Sequence, residues 1–258
     1  MIEPKIPNIS LVPSEVLNFQ GLTINSAVLS SLVITGIFLF IAIIIRLNLK
    51  IIPSKGQLIF EEVVSFFYNQ CLTSFGDEKK AKRYVSLIIT LFLFIFIANQ
   101  FTIIPLVGSL VLDNHEVFKS PTGHLSQTLT LSIVILGLSH LIALFTAPWK
   151  HIANLLNLNA LFEMKSIADL PNVFLQLFLG ILNIIGELAK VISLSARLFG
   201  NIFAGEVMVG VIAGLSFYTM FFVPIPFIFL SIFSGIVQAF VFSFLSLSFM
   251  SDIIKSVE

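Results

Sequence analysis

Lys190-Val191-Ile192-Ser193-Leu194-Ser195-Ala196-Arg197-Leu198-Phe199-Gly200-Asn201-Ile202-Phe203-Ala204-Gly205-Glu206 places an arginine between long runs of Leu, Ile, Phe and Val. An arginine at the centre of a bilayer costs about 2.5–3.5 kcal/mol on insertion scales. Its pKa stays above about 12, so it does not escape that cost by losing its proton. A charge kept there needs a partner or a task. The acids of the same segment do not supply the partner. Glu187 lies about 15 Å away along a helix, and Glu206 about 13.5 Å along and about 180° round. Glu187 and Lys190, at i,i+3, neutralise each other. Arg197 therefore faces another helix or another chain, with Ser193 and Asn201 on its face at i±4. It is either one half of a structural ion pair or part of an ion path.

Composition agrees with a membrane setting. The chain is 57% hydrophobic and 11% charged, with a mean hydropathy of +1.04, values that predict an all-α integral membrane protein. Its net charge is zero, so charge balance gives no case for a nucleic-acid partner. The single cysteine, Cys71, excludes an internal disulfide and a multi-cysteine metal site. His115, His124, His140 and His151 are scattered without metal-ligand spacing. No glycine-rich phosphate loop and no nucleophile–base set is evident, so the reading holds no catalytic residue, metal or cofactor.

The order of elements reads as one membrane domain over residues 1–258. Residues 1–25 form an outer N-terminal segment. It begins polar, is broken by Pro4, Pro7 and Pro13, and lacks the basic-then-apolar pattern of a cleaved leader. Residues 26–165 hold three spans and one amphipathic helix. The spans are predicted over residues 26–45, 85–104 and 125–145, stopped respectively by Arg46 with Lys50, by Pro105 and by Pro148. Residues 57–75 mix apolar and polar groups and read as a helix on the cytoplasmic membrane surface. Residues 77–83 and 113–123 read as loops, and 149–169 as a linker.

Residues 166–258 are different. From Pro171 to about residue 215 there is no proline and little charge. As one helix this segment would be roughly 68 Å long, against a bilayer core of about 30 Å. It either breaks near Gly180, Gly186 or Gly200 or lies strongly tilted. The last element, residues 228–254, follows Pro224-Ile225-Pro226 and is also long. The expectation is a tilted two-helix hairpin, making about five transmembrane helices in all. Arg46, Lys50, Lys55, Lys79, Lys80, Lys82, Arg83, Lys150, Lys165 and Lys255 then share one side, and Lys5 and Lys119 the other. That bias predicts an outer N-terminus and a cytoplasmic C-terminus.

With this topology Glu187 lies on the cytoplasmic side of Arg197 and Glu206 on the outer side, an arrangement suited to an ion path with two half-channels. Ser231 and Gln238, seven residues apart, share a face of the last helix. Ala196, Gly200 and Ala204 form a small-residue row, as do Ser231, Gly235, Ala239 and Ser243, and such rows let membrane helices approach closely.

The run from Ser193 to Glu206 closely resembles the signature of subunit a of F-type ATP synthases, and Gly235-Ile236-Val237-Gln238-Ala239-Phe240-Val241-Phe242 resembles its partner motif in the final helix. Ile52-Pro53-Ser54 with Gln57, Ala98-Asn99 and Pro121-Thr122 add weaker matches, and the likeness covers nearly the whole chain. The resemblance implies a membrane subunit, not catalytic alone and without cofactor. Its partners would be a ring of c subunits, the b-subunit peripheral stalk, the remainder of the complex and membrane lipid. It implies that Arg197 faces the ring carboxylates and separates the half-channels. Glu206 would be the outer acid, Glu187 the inner acid, and Asn201 and Gln238 polar groups beside the arginine. The family pattern also differs here. Many relatives have Asp where this chain has His124, and some bacterial relatives have a titratable His where it has Ser231. Glu206 in place of the histidine of animal and fungal mitochondrial relatives, with Ala204-Gly205, points to a bacterial inner membrane. An organelle-encoded inner or thylakoid membrane protein is the alternative. The other functional alternatives are a proton-coupled secondary transporter and a sodium-coupled version of the same subunit.

Overall fold

The structure is a computed structural model and describes residues 15–19, 22–101, 111–112, 115–116, 120–157, 170–214 and 222–257. Among the described residues five helices are long and apolar enough to cross a membrane. They are α1 (Ser26–Leu47), α3 (Glu78–Phe101), α4 (Leu125–Thr146), α6 (Leu170–Gly214) and α7 (Pro224–Lys255). Between them lie α2 (Lys55–Phe75), α5 (Pro148–Leu155) and a 3-10 turn, Pro121–Gly123. Helices dominate because hydrocarbon offers the backbone no hydrogen-bond partner, so each spanning segment must satisfy its own N–H and C=O groups. Outside the spans, two short antiparallel hairpins pair β1 (Glu15–Phe19) with β2 (Leu22–Asn25), and β3 (Val111–Leu112) with β4 (His115–Glu116). The segments expected as plain outer loops thus contain local strand pairing.

Three expected boundaries move. The charged stretch 77–83, expected as a loop, is mostly the first two turns of α3. Asp77 Oδ1 accepts the Lys79 N–H at 3.0 Å, and Glu78 pairs with Lys82 at 3.4 Å. Helix capping and i,i+4 spacing therefore accommodate the charges without a loop. Part of the expected linker is α5, with Pro148 in its first turn, where a missing N–H costs nothing. The last helix begins at Pro224 rather than after it, for the same reason. The expected end of the second span at residues 104–105, the loop residues Asp113 and Asn114, Lys165 and residue 215 lie outside the described residues.

The long fourth span is one unbroken helix, Leu170–Gly214, of 45 residues. Gly180, Gly186 and Gly200 do not break it. A helix-interior glycine costs about 1 kcal/mol, whereas breaking the helix in hydrocarbon would leave backbone polar groups unpaired at several kcal/mol each. Its buried side carries Val173, Leu194, Ser195, Leu198 and Ile202. The opposite side is exposed and mostly apolar, including Ile185, Leu188, Ile192 and Met208.

The core is centred on α3 and α7. Ile88, Ile95, Phe242, Leu247 and Met250 are fully buried there, joined by Leu194 and Leu198 of α6 and by Phe67, Cys71 and Phe75 of α2. Phe67 stacks on Phe240 with centroids 6.0 Å apart and lies 4.9 Å from Phe92. One face of α2 is therefore docked on the bundle while Leu58 and Ile59 are exposed, as its mixed sequence predicts. Burial pushes the Cys71 thiol up to about 11, leaving it protonated and unreactive. Polar groups also join the helices. Asn99 Nδ2 donates to the Gly235 carbonyl at 3.0 Å, Gln100 Nε2 to Ile232 at 3.1 Å, and Ser251 Oγ to Ser74 at 2.7 Å. In the N-terminal part of α6, a Cβ on Gly180 would collide with the backbone carbonyl of Leu156. Only a glycine lets the end of α5 lie directly on α6.

Phe67→Ala removes the ring that joins α2 to α3 and α7. It is expected to lower stability by about 3–5 kcal/mol, measured by denaturant titration of the protein in mixed micelles.

Candidate functional site

Arg197 projects from the exposed side of α6, one residue before the buried Leu198. It makes no hydrogen bond or ion pair with the described residues. Ser193, one turn earlier, is exposed on the same side, as are Ala196 and Ala204. The first small-residue row therefore faces outward, around the arginine. The second faces inward: Gly235, Ala239 and Ser243 are buried, with Gly235 against Asn99 and Gln100 of α3.

Asn201 does not share the free face of Arg197. It is half-buried and turned to α7, where its Nδ2 donates to the Ser234 carbonyl at 3.2 Å and its Oδ1 accepts from Ser234 Oγ at 2.5 Å. This double bond across the helix pair fixes the register of α6 on α7 next to the arginine. Gln238 is buried, 7% exposed, and its amide nitrogen has no partner among the described residues. A buried amide donor left in that state costs about 1–3 kcal/mol.

Glu206 lies on the C-terminal part of α6, against the 3-10 turn. Its carboxylate oxygens are 3.3 and 3.4 Å from where a Cβ would sit on Gly123. Around that turn Ser120, Thr122 and His124 are buried, and Ser120 Oγ lies 2.8 Å from Thr122 Oγ1. Glu206 thus faces a turn that carries buried polar side chains. Ser231 of α7 lies beside the residue before Glu206. A Cβ on the preceding Gly205 would come within 2.8 Å of Ser231 Oγ, so a side chain at 205 would force that hydroxyl to turn away.

Glu187 is at the other end. Its Oε1 holds Lys190 Nζ at 2.7 Å, and the ammonium sits 5.2 Å over the Phe249 ring of α7. The expected mutual neutralisation is observed. The chain pattern did not show what stands on the other side of the carboxylate. His140 Nε2 of α4 is 3.5 Å from Glu187 Oε2, and His140 Nδ1 is 3.2 Å from His151 Nε2 of α5. Two histidines that look scattered in sequence meet because α4 and α5 are joined by a tight turn at Ala147-Pro148 and fold back on α6. Burial, then the neighbouring His140, hold the His151 imidazole below its ordinary 6.5, with Glu187 acting weakly the other way. Among the described residues no group of three or more His, Cys, Asp or Glu could hold a metal ion.

One helix therefore carries, in order, Glu187 paired with Lys190 beside two imidazoles, the exposed Arg197 with no partner among the described residues, and Glu206 against the 3-10 turn. The sequence matches the family described as ATP synthase A chain over residues 28–251. It is similar to ATP synthase subunit a of Listeria monocytogenes serotype 4b (strain CLIP80459), 33% identical over 258 residues and 97% of each chain. It is also similar to ATP synthase subunit a of Bacillus pumilus (strain SAFR-032), 31% identical over 253 residues, 92% of this chain and 96% of the relative. A third relative of that name, from Priestia megaterium (strain ATCC 12872 / QMB1551), is 29% identical over 94% of this chain and 98% of its own.

Gly205→Ala is expected to push Ser231 away and reduce assembled, ion-conducting protein, and Ser231→Ala in the same chain to restore most of it; quantified assembly and conduction in the two variants check this. A folded-state pKa below the unfolded one means that neutral His151 favours the fold at high pH. That contribution is lost as pH falls from about 6.5 through the lowered value. Hydrogen-exchange protection of α5 should fall over that range, and His151→Asn should remove the dependence.

Proposed function

The chain belongs to the ATP synthase A chain family, and from that premise we propose that it is the ion-translocating stator subunit of a rotary F-type ATP synthase. As a subunit a it is a non-catalytic, multi-pass bacterial membrane protein that works in a complex with other ATP synthase subunits. In the proposed reading the partner of its exposed α6 face is a ring of c subunits. The b-subunit stalk holds the bundle against rotation, and lipid of the inner membrane covers the remaining apolar surface.

The observation that carries this reading is Arg197 itself. It is a permanent cation on the exposed side of a membrane helix, with no partner among the described residues. A carboxylate passing on a neighbouring chain would complete the pair. Opposite charge within about 4–6 Å favours the ionised carboxylate, so each ring carboxylate would give up its proton before passing the arginine. A proton could not then cross directly from one side to the other. Glu206 would exchange protons with the outer phase past the buried polar side chains of the turn at Gly123. Glu187 would do so with the inner phase, on the opposite side of Arg197. Asn201, locked to Ser234, and Gln238 would hold the α6–α7 pair in the geometry that presents the arginine. Ser193 would extend the polar stripe toward the ring, and Ser231 would stand beside Glu206.

The domain is read as one membrane unit, with α6 and α7 as the tilted hairpin facing the ring. An unbroken α6 fits this role better than that of a secondary transporter, whose sites are commonly built on helices interrupted at the midplane. Sodium coupling would keep the same Arg197 and change the ring carboxylate site.

In inverted membrane vesicles, Arg197→Ala is expected to leave the complex assembled, as read by immunoblot, and to abolish ATP-driven proton pumping. Normal pumping in that variant would overturn the proposal, and pumping that requires sodium would assign the other ion.

A further inference from the structure

We propose that His151 and His140 form a two-imidazole proton relay between the cytoplasmic face of α5 and the Glu187 carboxylate. The inference rests on the reading that Glu187 belongs to the inner half of the ion path. Four ring nitrogens and one carboxylate oxygen lie in series: His151 Nδ1 and Nε2, then His140 Nδ1 and Nε2, then Glu187 Oε2. The two gaps are 3.2 and 3.5 Å. The first is hydrogen-bonding distance, and a small rotation of the Glu187 side chain closes the second. The imidazole ring centroids are 5.3 Å apart, with the planes tilted at 49°.

Three further observations favour transfer over a purely structural tie. His151 is buried, 7% exposed, and its Nδ1 has no partner among the described residues. A structural imidazole in a packed helix would use that nitrogen. Burial keeps His151 neutral, and a relay needs a neutral ring that can accept on one nitrogen and donate from the other. Lys190 occupies Oε1 of Glu187, so the carboxylate presents Oε2 to His140. The charged groups on α5 and α7, namely Lys150, Asp252 and Lys255, are exposed, and the remaining charges of α6, Arg197 and Glu206, lie ten and nineteen residues beyond Glu187.

The proton count closes. In the outward step, protonated Glu187 gives its proton to His140 Nε2, the proton on His140 Nδ1 moves to His151 Nε2, and the proton on His151 Nδ1, a buried nitrogen, passes to water when the ring swings toward the exposed face of α5. One proton enters and one departs, Glu187 becomes the carboxylate, and both rings end as the opposite neutral tautomer. Turning the rings back, or passing a proton in the reverse order, resets them. The same wire runs inward during ATP-driven pumping.

Inverted vesicles expose this face to the medium, so buffer in the medium can replace a lost relay. His140→Gln and His151→Asn, measured per assembled complex at alkaline medium pH and low concentration of a membrane-impermeant buffer, should pump about tenfold slower than the unaltered complex. High buffer should restore them while leaving the unaltered rate unchanged. A loss that ignores buffer, unaltered rates in both variants, or failure of both to assemble would each overturn the relay. Arg197→Ala in parallel separates this from the parent reading. It should pump at neither buffer concentration, and if it pumps normally the ion-path reading itself fails, whatever the histidines do.

Discussion

The cost of keeping a permanent positive charge among hydrocarbon groups governs the arrangement around it. Arg197 cannot lose its proton, and the described residues place no carboxylate at its side. The bundle leaves it on the exposed side of α6. The buried side of the same helix carries Leu194, Leu198 and Ile202. The helix is thus anchored by ordinary apolar packing on one side and leaves its electrostatic demand open on the other.

An exposed charge is useful only if its position is fixed, and here polar side chains do the fixing. Where all surroundings are apolar, burial distinguishes poorly between one helix register and another. Asn201 with Ser234, Asn99 with Gly235 and Gln100 with Ile232 each join a side-chain amide to a backbone group of α7. These bonds are directional and admit one register. Gly235 lets α3 and α7 come close enough to make the latter two.

Much of this was legible in the sequence. The five spans, the surface helix, the Glu187–Lys190 pair and the outward direction of Arg197 all follow from hydropathy and from i,i+3 and i,i+4 geometry. What was not legible depends on chain reversal. The His140–His151–Glu187 series is contributed by three helices, and its spacing carries no period. The glycines as candidate break points gave the wrong half of an open alternative, because local propensity is weak against the demand for backbone pairing in lipid. Residues 77–83 looked like a loop because charge was read as exposure, yet an exposed helical turn satisfies the same side chains. Asn201 shares a helical face with Arg197 only approximately, and the 40° offset of an i+4 neighbour was enough to give it to α7.

The continuity of α6 has a consequence for how such a chain can change length. Glu187 and Glu206 stand about 28 Å apart on one rigid rod with no intervening joint to absorb an insertion. One extra residue between Arg197 and Glu206 would advance Glu206 by about 1.5 Å and swing it by about 100°, away from Gly123. One extra residue before Leu170 would disturb neither. The helix therefore acts as a gauge block, and sequence drift within it is confined to substitution.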